Sequence, residues 1–158
     1  MKLASLEAIV RSLNEANVLY LVAGGLAVNA HGYIRFTQDV DLVIALDSAN
    51  IVRAFEMLAR LGYRPAVPVT AEQFADSEQR QQWIRDKGMK VLNFFSDRHR
   101  ETTVDIFVEE PFEFDAEHRA AFAGELAPGL TMQFVSIRAL IAMKQVANRP
   151  RDMDDIQH

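Results

Sequence analysis

The feature that most constrains the fold is the segment 37–46, in which apolar and acidic side chains alternate. In an extended chain its apolar residues share one face: Val40, Leu42 and Ile44. The opposite face carries Asp39 and Asp41. This period of two predicts a β-strand with one face on the core. Because Asp is depleted in strands, a pair of aspartates within one requires a reason.

Short apolar runs and helical periods surround this strand. Apolar residues at helical spacing predict a helix over 3–16, and the run 18–23 predicts a buried strand that ends at Gly24-Gly25. A short helix over 26–31 follows, with Gly32 as its C-terminal cap. Asp47 or Ser48 is then expected to cap a helix that reaches Leu61.

Helices and strands also follow one another in the second half of the chain. The capping-box spacing of Thr70 and Gln73 predicts one polar helix to Lys87, after a loop marked by two prolines. Segments 91–95 and 102–108 predict a β-hairpin with its turn at 96–100. We expect 109–130 to be irregular with one helical piece, Ser136 to cap a helix, and a last short helix to begin at Pro150.

This order of elements predicts an α/β (α+β) fold, a small mixed sheet flanked by helices and followed by short C-terminal helices. The length of 158 residues predicts a single domain over 1–158. No apolar stretch approaches the roughly 20 residues that span a bilayer, so we expect no membrane partner. The chain has no cysteine, which fits a cytoplasmic location. Its net charge of −5 disfavours non-specific nucleic-acid binding.

A third aspartate, Asp105, lies in the middle of the apolar strand 102–108. If this strand neighbours the one that carries Asp39 and Asp41, three carboxylates meet on one face. Two unit charges about 4 Å apart repel by about 4 kcal/mol at an effective dielectric of 20. A divalent cation would offset that repulsion, and oxygen ligands favour Mg²⁺ or Mn²⁺. The alternative is an exposed strand face with solvated aspartates.

The Gly24-Gly25 turn joins a buried strand to a helix. Glycine there lets backbone N–H groups approach an anion closely, and the start of a helix favours negative charge. The simpler interpretation is a turn with no ligand. A dinucleotide-binding fold is excluded because the glycines lack the G-x-G-x-x-G spacing and its downstream acidic residue.

Together these residues resemble the DNA polymerase β-type nucleotidyltransferase superfamily. The resemblance is carried by Gly24-Gly25, by Asp39-Val40-Asp41 and by Asp105 in a later apolar strand. The residues around these motifs are similar to the small bacterial branch that includes the AbiEii-type nucleotidyltransferase toxins. The same similarity is seen near the C-terminus, in segments 140–144 and 149–156.

The resemblance implies a fold, an activity and a set of site residues. Asp39 and Asp41 would hold two Mg²⁺ (or Mn²⁺) ions, one of them shared with the triphosphate of an NTP, and Asp105 would complete the site of the other ion. The backbone of Gly24 and Gly25 would hold phosphates. The expected reaction transfers a nucleoside monophosphate to an acceptor hydroxyl and releases pyrophosphate.

Three further residues are candidates for contact with the nucleotide: Arg35, Thr37 and Lys144. Arg35 lies four residues before Asp39, and Lys144 lies on a helical face with apolar neighbours, where a lysine is costly unless it reaches solvent or a partner. Each of these two could instead be a solvated surface charge. Thr37 could orient the Asp39 segment or be an ordinary strand residue.

The sequence does not select the acceptor, which could be a small molecule, a tRNA end or a protein side chain. Nucleic acid is expected only as that acceptor. A partner protein or a second copy of the chain could complete the acceptor site, and the branch resemblance suggests a toxin–antitoxin component. The competing hypothesis is a non-catalytic module that senses nucleotides or binds proteins on the same fold.

Overall fold

The structure, a computed structural model, describes residues 1–32 and 37–147. Seven strands form one mixed sheet in the order β3-β4-β5-β2-β1-β7-β6. The strands are β1 (Tyr20–Ala23), β2 (Asp39–Ile44), β3 (Tyr63–Pro65), β4 (Val91–Ser96), β5 (Thr103–Phe107), β6 (Phe122–Ala127) and β7 (Leu130–Phe134). The predicted mixed sheet flanked by helices is confirmed.

Seven helices lie in the described part of the chain. They are α1 (Leu3–Glu15), α2 (Gly24–Ala30), α3 (Ser48–Arg60), α4 (Ala71–Ala75), α5 (Ser77–Lys87), α6 (Phe114–Arg119) and α7 (Ile137–Ala147). None of the helices in residues 1–32 and 37–147 has the length and apolar character needed to cross a membrane. The last short helix, expected from Pro150, lies outside the described residues.

The central strands bring the two aspartate-bearing segments together. β1 pairs antiparallel with β2, and β2 pairs parallel with β5 in a register that sets Asp41 opposite Asp105. β4 pairs antiparallel with β5, which confirms the predicted hairpin. A parallel neighbour requires a long crossover, and here the crossover is α3, β3, α4, α5 and β4.

One part of the core lies on the face of the sheet opposite the carboxylates. Val40, Leu42 and Ile44 of β2 are buried there, as the alternation predicts. Phe55 of α3 packs edge-on against Phe94 of β4, with ring centroids 5.3 Å apart. Since Phe94 faces the same side as these three residues, α3 covers this face. The carboxylate face also contains buried side chains, such as Val43 at the other end of β2, so core residues lie on both sides of the sheet.

Helix α3 is joined to the sheet by a buried polar side chain. Asp47 accepts a hydrogen bond from the backbone N–H of Asn50 at 2.9 Å, which confirms the predicted cap. The Asn50 side chain is fully buried. It accepts from the N–H of Leu19 at 2.8 Å and donates to the carbonyls of Leu19 and Ala45 at 3.0 and 2.9 Å. These bonds fix α3 against the ends of β1 and β2.

Three expectations for the second half were wrong. The polar helix from Thr70 to Lys87 is two helices, because Asp76 leaves helical geometry (φ −77°, ψ 110°) and caps α5 through the N–H groups of Glu78 and Gln79. Segment 109–130 is not mainly irregular: beside α6 it contains β6, which pairs with β7. The segment marked by prolines contains the short edge strand β3, which pairs with β4.

Candidate active site

Three carboxylates from two adjacent strands form a compact acidic cluster. One oxygen from each of Asp39, Asp41 and Asp105 lies within 4.8 Å of the others. Asp39 is exposed, and the other two are half-buried. The parallel register of β2 and β5 produces this convergence because it puts Asp41 directly beside Asp105. The expectation that the two strands are neighbours is confirmed.

The cluster strongly disfavours full ionisation in the absence of a cation. Burial, followed by the negative charges of Asp105 and Asp39, raises the pKa of Asp41 to about 7. Burial also raises the pKa of Asp105. A hydrogen bond joins the two carboxyl groups, raising the pKa of Asp41 and opposing the rise at Asp105. The two hydrogen-bonded carboxyl groups therefore titrate together rather than as independent sites.

The Gly24-Gly25 turn lies against this cluster. Gly24 has a positive φ of 63°, and a Cβ atom at this position would lie 1.8 Å from Oδ2 of Asp41. A Cβ at Gly25 would lie 2.9 Å from Cβ of Thr37. Both glycines are thus required sterically, one by a carboxylate and one by the segment that leads into β2.

The other nucleotide-binding candidates have different positions. Thr37 lies beside Gly25, and its hydroxyl donates to the carbonyl of Asp39 at 3.3 Å. Lys144 on α7 is buried, and its positive charge opposes the rise in the pKa of Asp41. It is therefore not a solvated surface charge. Arg35 lies outside the described residues.

Two residues that the sequence reasoning did not single out contact the carboxylates. The Asn93 amide on β4 donates to Oδ1 of Asp105 at 2.6 Å. The Thr103 hydroxyl on β5 donates to Oδ1 of Asp39 through a short hydrogen bond. Asn93 had a detectable signal, since Asn is depleted in strands and this one stands in the apolar segment 91–95. Thr103 had none, because Thr is an ordinary strand residue.

The arrangement fits a site for hard divalent cations. Its ligands are carboxylate oxygens, within the spacing that one ion or a close pair of ions can bridge. The neighbouring glycine turn offers backbone N–H groups at the start of a helix. A mixed sheet that presents an acidic cluster beside such a turn is the arrangement that the resemblance to nucleotidyltransferases leads us to expect.

Comparison with known proteins identifies the family. Residues 6–158 match the family described as nucleotidyl transferase AbiEii toxin, type IV TA system. The chain belongs to this family, which confirms the resemblance seen in the sequence. A sequence comparison with curated proteins gives no significant match.

Solved structures of low sequence identity share the fold. The antibiotic-resistance factor ANT(2'')-Ia is similar with a TM-score of 0.60 and 14% identity, over 98% of this chain and 80% of that one. The lincosamide antibiotic adenylyltransferase LnuA, solved with lincomycin bound, gives 0.57 and 13%, over 92% and 87%. An antigenic nucleotidyltransferase-like protein from Paracoccidioides brasiliensis gives 0.55 and 15%, over 98% and 73%.

Proposed function

We propose that this protein is a metal-dependent nucleotidyltransferase that moves a nucleoside monophosphate from an NTP to an acceptor hydroxyl. The observation that carries the proposal is the convergence of three carboxylates within 4.8 Å, directly beside the glycine turn. Membership of the AbiEii family supports nucleotidyl transfer in general. The competing non-catalytic module would have no need of the complete acidic cluster.

The proposed roles are those that the resemblance to nucleotidyltransferases implies for these side chains. Asp39 and Asp41 would hold two Mg²⁺ or Mn²⁺ ions, and Asp105 would complete the site of one of them. When bound, these ions lower the pKa of an attacking hydroxyl and stabilise the charge on the leaving group. The backbone N–H groups of Gly24 and Gly25 would donate to the terminal phosphates.

In the proposed reaction the acceptor oxygen attacks the α-phosphorus in line. The new O–P bond forms as the bond between the α-phosphorus and its bridging oxygen breaks, and pyrophosphate leaves. Asp105, directly opposite Asp41 on the neighbouring strand, would accept the proton of the acceptor hydroxyl. The buried ammonium of Lys144 would offset phosphate charge near Asp41, and Thr37 would hold the backbone at Asp39. Arg35 is a proposed phosphate contact on its sequence position alone.

The proposal admits three classes of acceptor: a small molecule, a tRNA end and a protein side chain. Two of the structural neighbours were solved with antibiotic molecules bound. ANT(2'')-Ia is in complex with adenylyl-2''-tobramycin, and LnuA has lincomycin bound. The family description names a toxin of a type IV system, which suggests an antitoxin as a partner protein. We propose a toxin–antitoxin role on that basis.

Thermal unfolding with each of the four NTPs, with and without Mg²⁺ or Mn²⁺, tests the nucleotide site. A ligand at about 100 times its Kd adds about 2.7 kcal/mol to the free energy of unfolding. For a chain of this size that raises Tm by about 5–10 °C. We expect this increase for at least one NTP, and only in the presence of metal.

Two variants test whether the increase in Tm depends on the acidic cluster rather than on any aspartate. Asp39→Ala/Asp41→Ala should abolish the increase in Tm, whereas Asp86→Ala, at an exposed position on α5, should preserve it. A wild-type protein that no NTP stabilises with either metal would contradict the proposal. A positive result selects the labelled NTP with which acceptors are then screened for covalent transfer.

A further inference from the structure

Two neutral donors approach the acidic cluster, and each serves a different carboxylate. The Asn93 amide donates to Asp105, with Nδ2 and Oδ1 2.6 Å apart. The Thr103 hydroxyl donates to Oδ1 of Asp39. Lys144 is the cation that acts on Asp41, the third carboxylate of the cluster. Within residues 1–32 and 37–147, Asp39 and Asp105 thus each accept a hydrogen bond from an uncharged side chain.

Sheet register puts both donors in position. Asn93 of β4 lies directly opposite Asp105 in the antiparallel β4–β5 pair. Thr103 of β5 lies opposite Asp39 in the parallel β5–β2 pair. In an antiparallel pair, side chains opposite each other on one face have Cβ atoms about 4.5–5.5 Å apart, which is within reach of the Asn93 amide. Both hydrogen bonds are therefore built on strands rather than on loops, and the donors are pre-positioned.

The chemistry of these donors suits a metal site better than a structural ion pair. An amide or hydroxyl fixes the orientation of a carboxylate but leaves its negative charge intact for a cation. Each donor engages one oxygen, Oδ1, of its carboxylate, and a carboxylate has a second oxygen through which it can bind a cation. An apolar residue at position 93 would fit the strand segment 91–95 better than Asn does.

We propose that Asn93 and Thr103 are positioning residues with separate effects on the two-ion site. This inference rests on the proposed function. Asn93 orients Asp105, which serves only one of the two ions and accepts the acceptor proton. Loss of the Asn93 amide should therefore weaken the binding of that ion and lower kcat. Thr103 orients Asp39, which serves both ions. Loss of the Thr103 hydroxyl should weaken the binding of the nucleotide-bound ion as well, and should therefore raise KM for the NTP.

The test measures Mn²⁺ binding by electron paramagnetic resonance, first without nucleotide and then with a saturating NTP. The variants are Asn93→Leu and Thr103→Val, which keep side-chain volume and remove the donor. Loss of such a partner typically costs 10–100-fold in metal affinity or activity. We expect Asn93→Leu to weaken one of the two bound Mn²⁺ ions by at least about 10-fold, and Thr103→Val to weaken both.

Three controls separate positioning from a general structural role. Thr103→Ser, which keeps the hydroxyl, should restore Mn²⁺ affinity. Thr131→Val, at an exposed strand position on β7, should leave it unchanged. The metal-free Tm of both test variants should stay within a few degrees of wild type. Once an acceptor is available, Asn93→Leu should lower kcat with little change in KM for the NTP.

The outcomes distinguish this inference from the function on which it rests. If wild type binds Mn²⁺ and an NTP while Asn93→Leu and Thr103→Val bind Mn²⁺ equally well, the positioning role is wrong and the proposed function stands. The positioning role is also wrong if Thr103→Ser binds Mn²⁺ as weakly as Thr103→Val. If wild type binds neither Mn²⁺ nor any NTP, both are overturned.

Discussion

The residue whose identity is most tightly fixed by its neighbours is Gly24. Its φ of 63° is unfavourable for other residues, and its Cα faces the carboxylate of Asp41. Gly88, at the end of α5, has nearly the same φ of 61° but has no atom within 4 Å of the position of a Cβ. The two glycines therefore form a matched pair that separates backbone strain from steric contact.

Replacing each of these glycines by alanine should give different results. Gly88→Ala should cost about 1–2 kcal/mol through the positive φ alone. Gly24→Ala carries the same strain and in addition displaces the side chain of Asp41, so it should cost more and weaken Mn²⁺ binding at least about 10-fold. Chemical denaturation and Mn²⁺ titration measure both effects. Equal losses of stability with unchanged Mn²⁺ affinity would contradict the close contact with Asp41.

At this scale the sequence predicted the centre of the site but not its surroundings. Asp39, Asp41 and Asp105 could be found because carboxylates within apolar strands are unusual. The hydrogen bonds from Asn93 and Thr103 depend on which strand lies opposite which, and that register is set by the whole sheet. A side-chain pair across two strands leaves no local pattern in either.

At the scale of the elements, the contact between α3 and the sheet depends on the hydrogen bonds of a single buried side chain. Asn50 satisfies one N–H and two carbonyl groups at the ends of β1 and β2. A buried backbone group that loses its partner costs about 1–3 kcal/mol. This one side chain thus holds the helix and two of the central strands in a single arrangement.

Substituting Asn50→Leu should therefore destabilise the protein by about 2–4 kcal/mol, because it leaves these backbone groups unpaired in the core. Gln82→Leu is the control, since the Gln82 side chain on α5 is exposed to water. That control should cost less than about 1 kcal/mol. The measurement is urea denaturation of both variants, and similar losses would show that burial of Asn50 is not what matters.

The elements that the sequence failed to predict are short and lie at the sheet edges. β3 is only Tyr63–Pro65, and β6 contains a glycine and exposed residues on both faces. Neither has an alternating pattern, because an edge strand buries little surface on either side. The long amphipathic helices α1 and α3, by contrast, were predicted to within a residue or two at each end.

On the scale of the whole molecule, the acidic cluster makes stability depend on pH. The pKa of Asp41 is about 7 in the folded, metal-free protein, against an ordinary value of 3.8 for an aspartate in the unfolded chain. Between these values the folded state binds the proton and the unfolded state does not. The contribution of this proton to stability is therefore fully present below about pH 4 and is lost as the pH rises through about 7.

The variant Asp41→Asn, which mimics the protonated form, should isolate this contribution. At pH 8 without metal its Tm should exceed that of wild type by several degrees, since about 1 kcal/mol moves Tm by about 2–4 °C at this chain length. At pH 4 the two Tm values should agree, because Asp41 is then neutral in the folded wild type. Thermal unfolding over pH 4–8 measures the difference, and a constant offset at all pH values would contradict the raised pKa.

Divalent metal should reverse the order of the two Tm values at pH 8, so that wild type is more stable than Asp41→Asn. Divalent cations bind the ionised carboxylates and displace the proton, so their stabilising effect on wild type should grow as the pH rises. The Asp41→Asn variant carries a neutral amide that offers no charge to a cation, so it should gain little. A site that weakens the free protein in order to keep three carboxylates together is typical of a functional rather than a structural cluster.

The parallel pairing of β2 with β5 has a consequence for how the protein is made. Asp105 follows Asp41 by 64 positions in the sequence, and β3 and β4 lie between their strands along the chain. At about 5–20 residues per second, a ribosome needs about 3–13 s to add that length. During this interval the growing chain carries the glycine turn and two carboxylates without the third. The acidic cluster is complete only when β5 has paired with β2, so unfinished chains lack the full set of carboxylates.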